Sequence, residues 1–288
     1  ELLVNLKICI STQSYLNEYI FLETHDEKLK LDLLEKKIEK NPSDEKILIL
    51  SMYRPIHNYH WSKLWEPKSK LLDLHSFEEI GPAAGTASYD DEDKLSGFDP
   101  ANFVLGFGKI DGRRVVIGGE DFTMKGGSPS PAGLRKSVYA EELAVQYKVP
   151  LIRLHEGSGG SVGGTGQNMP NPVNAPARFL SVAEAMATVP VATAALGAVA
   201  GLPAGRLVAS HFSVMSKMTA QILTAGPAVV ARAMGEQKTK EELGGWKIHT
   251  KNGTVDNGAE DEEACLKEVR KFLSFMPINI VQRALVIN

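Results

Sequence analysis

Three glycine-rich stretches could do chemistry with the main chain alone: Gly126-Gly127-Ser128, the run from Gly157 to Gly166, and Gly197-Ala198-Val199-Ala200-Gly201. Glycine lets a backbone N–H come close to a ligand because no Cβ stands in the way. Two such donors can hold the negative oxygen of an enolate or a tetrahedral adduct, an effect worth about 3 kcal/mol per donor. Nucleotide readings of these glycines are weak. No GxxxxGK[ST] loop is present, and Gly106-Phe107-Gly108 lacks the third glycine of a dinucleotide fingerprint. An oxyanion hole is the remaining use, and it suits thioester chemistry.

A competing pattern lies inside the second stretch, where Gly159-Gly160-Ser161-Val162-Gly163 satisfies GxSxG, the nucleophile elbow of a serine hydrolase. An elbow serine follows its strand almost at once, yet Ser161 stands several residues beyond the apolar Leu151–Leu154, and His249 precedes Asp256, the wrong order for that fold. His155-Glu156 could act as base and orienter, but neighbours in a strand point to opposite faces, which favours a structural role. His57 and His60 sit among Tyr53, Tyr59, Trp61 and Trp65 without a third ligand nearby, so packing or a solvated arm is expected there rather than a metal.

The elements that must carry these loops read as strand, glycine loop, helix, repeated. Phe103–Ile110 and Arg113–Ile117 flank Asp111-Gly112, a type I′ hairpin signal because both turn residues tolerate positive φ. Glu120–Met124 then enters the first glycine loop, with a helix expected from Ala132 to Tyr147. Leu151–Leu154 enters the second loop, followed by a helix around Ala175–Ala187. Pro190–Leu196 enters the third loop and an Ala-rich helix, after which Phe212–Met215 is a further strand. Such alternation implies parallel pairing with right-handed crossovers, an α/β fold. Asp261-Glu262-Glu263 opens a closing helix with an apolar face from Leu266 to Phe275.

The first 70 of the 288 residues differ in composition, being polar and partly helical, with a stripe of Leu29, Leu31, Leu33, Leu34 and Ile38. Residues 71–288 form the Gly/Ala-rich body, and the acidic run Asp90-Asp91-Glu92-Asp93 reads as a solvated connector. A net charge of −3 advertises neither a nucleic-acid nor a membrane surface. No apolar run approaches the roughly 18 residues of a membrane span. Cys9 and Cys265 offer no disulfide framework or CxxC pair, which fits a reducing compartment.

The body resembles the β subunit of a biotin-dependent acyl-CoA carboxylase, of the propionyl-CoA or methylcrotonyl-CoA type. The matching segments are Gly112–Ile117 with Glu120-Asp121-Phe122-Thr123 and Gly126-Gly127-Ser128, then Ser158-Gly159-Gly160, Gly197–Gly201, Ala225-Gly226-Pro227, and Thr239–Gly245 with His249-Thr250. The resemblance covers roughly residues 70–288 and is to the N-terminal of the two domains in such subunits. Three places depart from the pattern: Glu156-Gly157-Ser158, Ser161–Thr165 and Leu202-Pro203.

The resemblance implies a crotonase-like fold, a spiral of ββα units, that binds acyl-CoA and stabilises its thioester enolate while a carboxyl group arrives from carboxybiotin on a partner carrier domain. It implies oxyanion amides at Gly159 and Gly160. It implies substrate contacts at Gly126, Gly127, Ser128, Ala200 and Gly201; Arg135 and Lys136, in the helix after Gly126-Gly127-Ser128, are placed to meet the phosphates of coenzyme A. It further implies a homo-oligomer, a biotin carboxylase or carrier partner, a location in the mitochondrial matrix or cytoplasm, and inactivity without the second crotonase-like domain. A biotin-independent malonyl-thioester decarboxylase subunit of the same fold and a non-catalytic assembly module stay open beside it.

Overall fold

The computed structural model of the chain describes the backbone of residues 8–10 and 20–22, and residues 71–159 and 179–278 in full. The chain divides into two compact units, residues 1–59 with 87–99, and residues 60–86 with 100–288. In the first, β1 (Ile8–Ile10) and β2 (Ile20–Leu22) pair antiparallel. The leucine stripe and the His57/His60 cluster lie outside the described residues. The acidic run is not a plain connector: it forms the tip of a hairpin of β4 (Gly85–Tyr89) and β5 (Leu95–Pro100). Asp90 makes that turn itself, its carboxylate accepting from the Glu92 N–H at 3.0 Å and the Lys94 N–H at 2.8 Å.

The second unit is built on one sheet. In sheet order its strands are β12 (Asn257–Ala259), β10 (Phe212–Ser216), β9 (Val191–Ala200), β8 (Leu151–Gly157), β7 (Arg113–Glu120), β6 (Phe103–Ile110) and β3 (Glu78–Glu79), with β11 (Gln221–Leu223) pairing off the path to β9. From β7 through β12 every pairing is parallel, while β6–β7 and β3–β6 are antiparallel. The expected Asp111-Gly112 hairpin is present, with φ of 50° and 77° at its two turn residues.

Parallel strands covered on both faces read as unbroken apolar runs, and these do. Ile117, Ile152, Leu154, Ala192 and Val214 face Cys265, Leu266, Val269 and Leu273 of the closing helix, Glu262–Ser274. On the other face Leu105, Phe107, Val116 and Leu151 pack against Ala140, Leu143 and Ala144 of α1 (Pro131–Tyr147) and Ala185 of α2 (Leu180–Thr188). Each fully buried Leu or Ile contributes about 1.5–3 kcal/mol. The helices begin where the glycine loops end: α1 is capped by Ser130, whose hydroxyl accepts from the Gly133 N–H at 3.0 Å, and α3 (Leu202–Val208) follows Gly201 directly. Three further short helices are α4 (Pro227–Met234), α5 (Lys240–Gly244) and α6 (Trp246–His249), which precede the closing helix, α7.

Strand β9 runs farther than expected. Gly197–Ala200 belongs to the strand rather than to a loop, because Ala198, Val199 and Ala200 pair in register with Gln221, Ile222 and Leu223.

Candidate functional site

Parallel strands β7, β8 and β9 all end on the same edge, and each hands over to a glycine segment. A ligand site is expected at such an edge. After β7 the chain makes a 3-10 turn at Lys125–Gly127 with positive φ at Lys125, Gly126 and Gly127. Asn102 anchors the residues just beyond that turn, donating to the Ser128 carbonyl at 2.6 Å and accepting from the Ser130 N–H at 3.0 Å. Ser158, after β8, donates to the Gly126 carbonyl from its N–H at 2.9 Å and its hydroxyl at 3.1 Å, stitching the first segment to the second.

The backbones then interlock. A Cβ on Gly127 would stand 2.5 Å from the Gly157 Cα, and one on Gly159 would stand 2.6 Å from both the Gly201 Cα and the Ala200 oxygen. No side chain fits at these crossings, so glycine is required by approach as well as by the positive φ of Gly127 and Gly201. Gly126, Gly127, Ser128, Gly159, Ala200 and Gly201 are therefore brought together. Gly160 and Ser161 lie outside the described residues.

The hydrogen bonds decide which of these groups has an N–H to offer. The Gly127 N–H is given to Met124 at 3.0 Å, that of Ser128 to Lys125 at 3.2 Å, and that of Gly201 to Leu223 at 3.0 Å. Gly127, Ser128 and Gly201 thus shape the cradle, while the N–H groups of Gly126 and Gly159 are engaged by no hydrogen bond among the described residues. Lys136 is buried, with its ammonium 3.2 Å from the Gly81 carbonyl oxygen and 3.9 Å from the Glu79 carboxylate. A phosphate contact would require that ammonium to turn away from both.

Beneath the loops lies a layer of buried charge. His155 Nδ1 lies 3.0 Å from the Glu120 carboxylate across β7 and β8, and Glu156, the next residue, packs against Gly197 instead. Burial pushes the Glu120 carboxyl up, but the charge and hydrogen bond of His155, a backbone hydrogen bond and Arg206 outweigh it and hold the carboxyl below its usual range. Glu120 is therefore ionised and Nδ1 carries the donated proton. Deeper, Glu141 accepts from Arg153 at 2.7 Å and from Arg206 at 3.0 Å, and Ser181 donates to its second oxygen. Both guanidiniums are buried, and burial, joined by the charge of Arg206, lowers the pKa of Arg153 against the opposing pull of Glu141.

Sequence reasoning weighed His155 and Glu156 and met Glu120 inside a matching segment, but passed over Glu141, Arg153 and Arg206, which carry no motif. A signal was present in Arg153, a cation inside the apolar run Leu151–Leu154, where a charge is tolerated only if paired. A small recess adjoins the loops, bounded by Glu120, Pro129, Leu202, Pro203, Ser137 and Arg206 among others. Among the described residues no helix is long and apolar enough to cross a membrane.

Comparisons with known proteins give the family and the fold. A family model described as the carboxyl transferase domain matches residues 62–285. The methylmalonyl-CoA decarboxylase subunit alpha of Veillonella parvula is 28% identical over 221 residues, 76% of this chain and 43% of that protein. The biotin-dependent 3-methylcrotonyl-coenzyme A carboxylase beta1 subunit of Mycobacterium tuberculosis is 32% identical over 208 residues, 71% of this chain and 38% of that one. The chain thus spans about two fifths of the length of these curated relatives. Among solved structures, the hexameric transcarboxylase 12S core, bound to methylmalonyl-coenzyme A and methylmalonic acid, superimposes with a TM-score of 0.64 and 24% identity, covering 92% of this chain and 51% of that one.

Proposed function

The chain belongs to the carboxyl transferase domain family and has its crotonase-like fold, and from that premise we propose that it is the acyl-CoA-binding half of a biotin-dependent acyl-CoA carboxylase. The observation that carries this reading is the Gly159 N–H, which no hydrogen bond among the described residues engages, at the C-terminal edge of parallel strands where the glycine backbones cross. A hydrogen-bond donor of fixed position, beside the satisfied donors of Gly127, Ser128 and Gly201, suits an oxygen that gains charge during reaction. In a CoA thioester that oxygen is the carbonyl, which becomes an enolate oxygen when the α carbon loses its proton.

The cradle offers backbone N–H, which fits a thioester oxyanion. Its walls are Gly126, Gly127, Ser128, Ala200 and Gly201, with Gly160 as the proposed second donor. Carboxybiotin on a partner carrier supplies the activated carboxyl group and the base that takes the α proton. The pocket for that group is assigned to a second crotonase-like domain, in keeping with the chain's share of its relatives' length. This chain's own work is to bind the thioester, orient it and hold the enolate oxygen. A homo-oligomer and a biotin carboxylase or carrier subunit complete the proposed assembly.

A second reading is favoured by the Veillonella relative, whose name describes a decarboxylase. The same cradle would then hold an enolate formed by loss of CO2 rather than of a proton. One experiment separates the readings. The chain, paired with a second carboxyltransferase domain, is given propionyl-CoA with carboxybiotin, and separately methylmalonyl-CoA alone. Carboxylation of the first supports the carboxylase reading. Loss of CO2 from the second without biotin supports the decarboxylase. Carboxylation by the chain without any second domain would overturn the assignment of half a site.

A further inference from the structure

Each of the three loop segments adjoins an element that reaches one buried carboxylate, that of Glu141. Helix α1, which carries Glu141, begins at Pro131, capped by Ser130 just after the first loop. Strand β8 runs into the second loop and carries Arg153, bonded to Glu141 Oε1 at 2.7 Å. Helix α3 begins at the third loop and carries Arg206, whose Nε donates to the same oxygen at 3.0 Å. A fourth element, α2, donates to Oε2 through Ser181. Helix α1 closes the circle, since Arg206 also donates to Ser137 on it at 3.0 Å, and Arg153 donates to the Arg206 carbonyl at 3.1 Å.

The leverage is short. Arg153 lies four residues before Gly157, about 13 Å along a strand. Arg206 lies five residues after Gly201, about 7.5 Å along a helix. Glu141 is fully buried and the two arginines nearly so, so no water competes for the carboxylate and its bonds have one geometry.

We propose that Glu141 is a positioning residue: its carboxylate sets the mutual register of the three glycine loops, and with it the place of the Gly159 N–H. That the loops hold an acyl-CoA rests on the function proposed above; that Glu141 sets their register does not. An apolar core could hold the helices to the sheet as firmly. The carboxylate adds direction, since a planar acceptor receiving bonds from three elements leaves each a narrow range of approach.

The test compares Glu141→Gln with the triple variant Glu141→Leu/Arg153→Met/Arg206→Met, which removes all three charges together and is the kind of replacement that restores stability. Amide hydrogen exchange is followed without ligand over the segments that leave the strands, residues 125–128, 158–159 and 201–202, with the β6–β7 hairpin as reference. In Glu141→Gln exchange is expected to rise about tenfold or more in all three loops while the hairpin stays protected. In the triple variant the melting temperature is expected to recover while the loops stay fast. A rise confined to one loop, an even rise through the whole unit, or wild-type loop exchange in the triple variant would each overturn the proposal. If Glu141→Gln does not fold, the triple variant alone decides. Titration of wild type with propionyl-CoA tests the site separately, so failure of that reading is seen apart from failure of this one.

Discussion

Gly159 and Gly201 meet backbone to backbone: a Cβ added to either would stand 2.6–2.8 Å from the other's Cα. The Gly201 conformation, φ 65° and ψ −127°, is one that only glycine adopts without strain. The contact fixes the second loop against the third, and it turns the Gly201 N–H back to Leu223. Gly201→Ala is therefore expected to cost about 2–4 kcal/mol through strain and clash combined. It should also weaken acyl-CoA binding by moving Gly159. Denaturant unfolding and calorimetric titration check both; a variant as stable as wild type would contradict the close approach.

The Glu120–His155 pair gives a pH dependence with a definite sign. The folded-state pKa of Glu120 is depressed below 4.5, so its contribution is complete above that pH and fades as pH falls through the folded value. The stability difference between wild type and Glu120→Gln should be about 1–3 kcal/mol at pH 7 and should shrink below pH 4.5. Urea unfolding at pH 7, 5 and 3.5 measures it, and a constant difference across that range would contradict the ion pair.

Cys265 lies in the core on α7, where burial pushes its thiol up to about 12, with help from Asp261, Glu262 and Glu268. The thiolate is the reactive form. In a Cys9→Ser background, Cys265 should stay unmodified by a disulfide reagent at pH 8 and react only on unfolding. Because the shift is upward, the contribution of Cys265 to folding stability should be constant below about pH 9 and fall at higher pH as the unfolded thiol ionises. Rapid native labelling would contradict the placement.

Ser161 offers a direct check on the hydrolase alternative. If the glycine loops serve an enolate, wild type and Ser161→Ala should hydrolyse an activated ester such as p-nitrophenyl acetate equally slowly. A Ser161-dependent burst of p-nitrophenol would restore the nucleophile elbow.

How far the fold could be read depended on how local its causes are. The Asp111-Gly112 hairpin was legible because two turn residues dictate it, and the α/β class because alternating apolar runs and glycine loops have no other economical packing. Strand β9 was cut short at Leu196, since Gly-Ala segments have low strand propensity; pairing with Gln221–Leu223 overrides it. The glycine cradle was found by composition, but its division into shaping and donating amides was not, because that depends on which N–H groups are already taken. The charge layer was missed for the same reason. Glu141 and Arg206 stand 65 residues apart, and only the folded crossovers bring them together.

The most direct measurement compares two ligands on the unmodified chain. One is propionyl-CoA; the other is a CoA thioether bearing a nitronate, which carries negative charge where the thioester enolate would carry it. A cradle built for the developing oxyanion must bind the charged mimic more tightly than the ground state. Calorimetric titration should give a Kd for the nitronate about 100-fold or more below that of propionyl-CoA. Equal affinities, or no binding of either ligand, would contradict the claim that these glycine loops hold an acyl-CoA enolate.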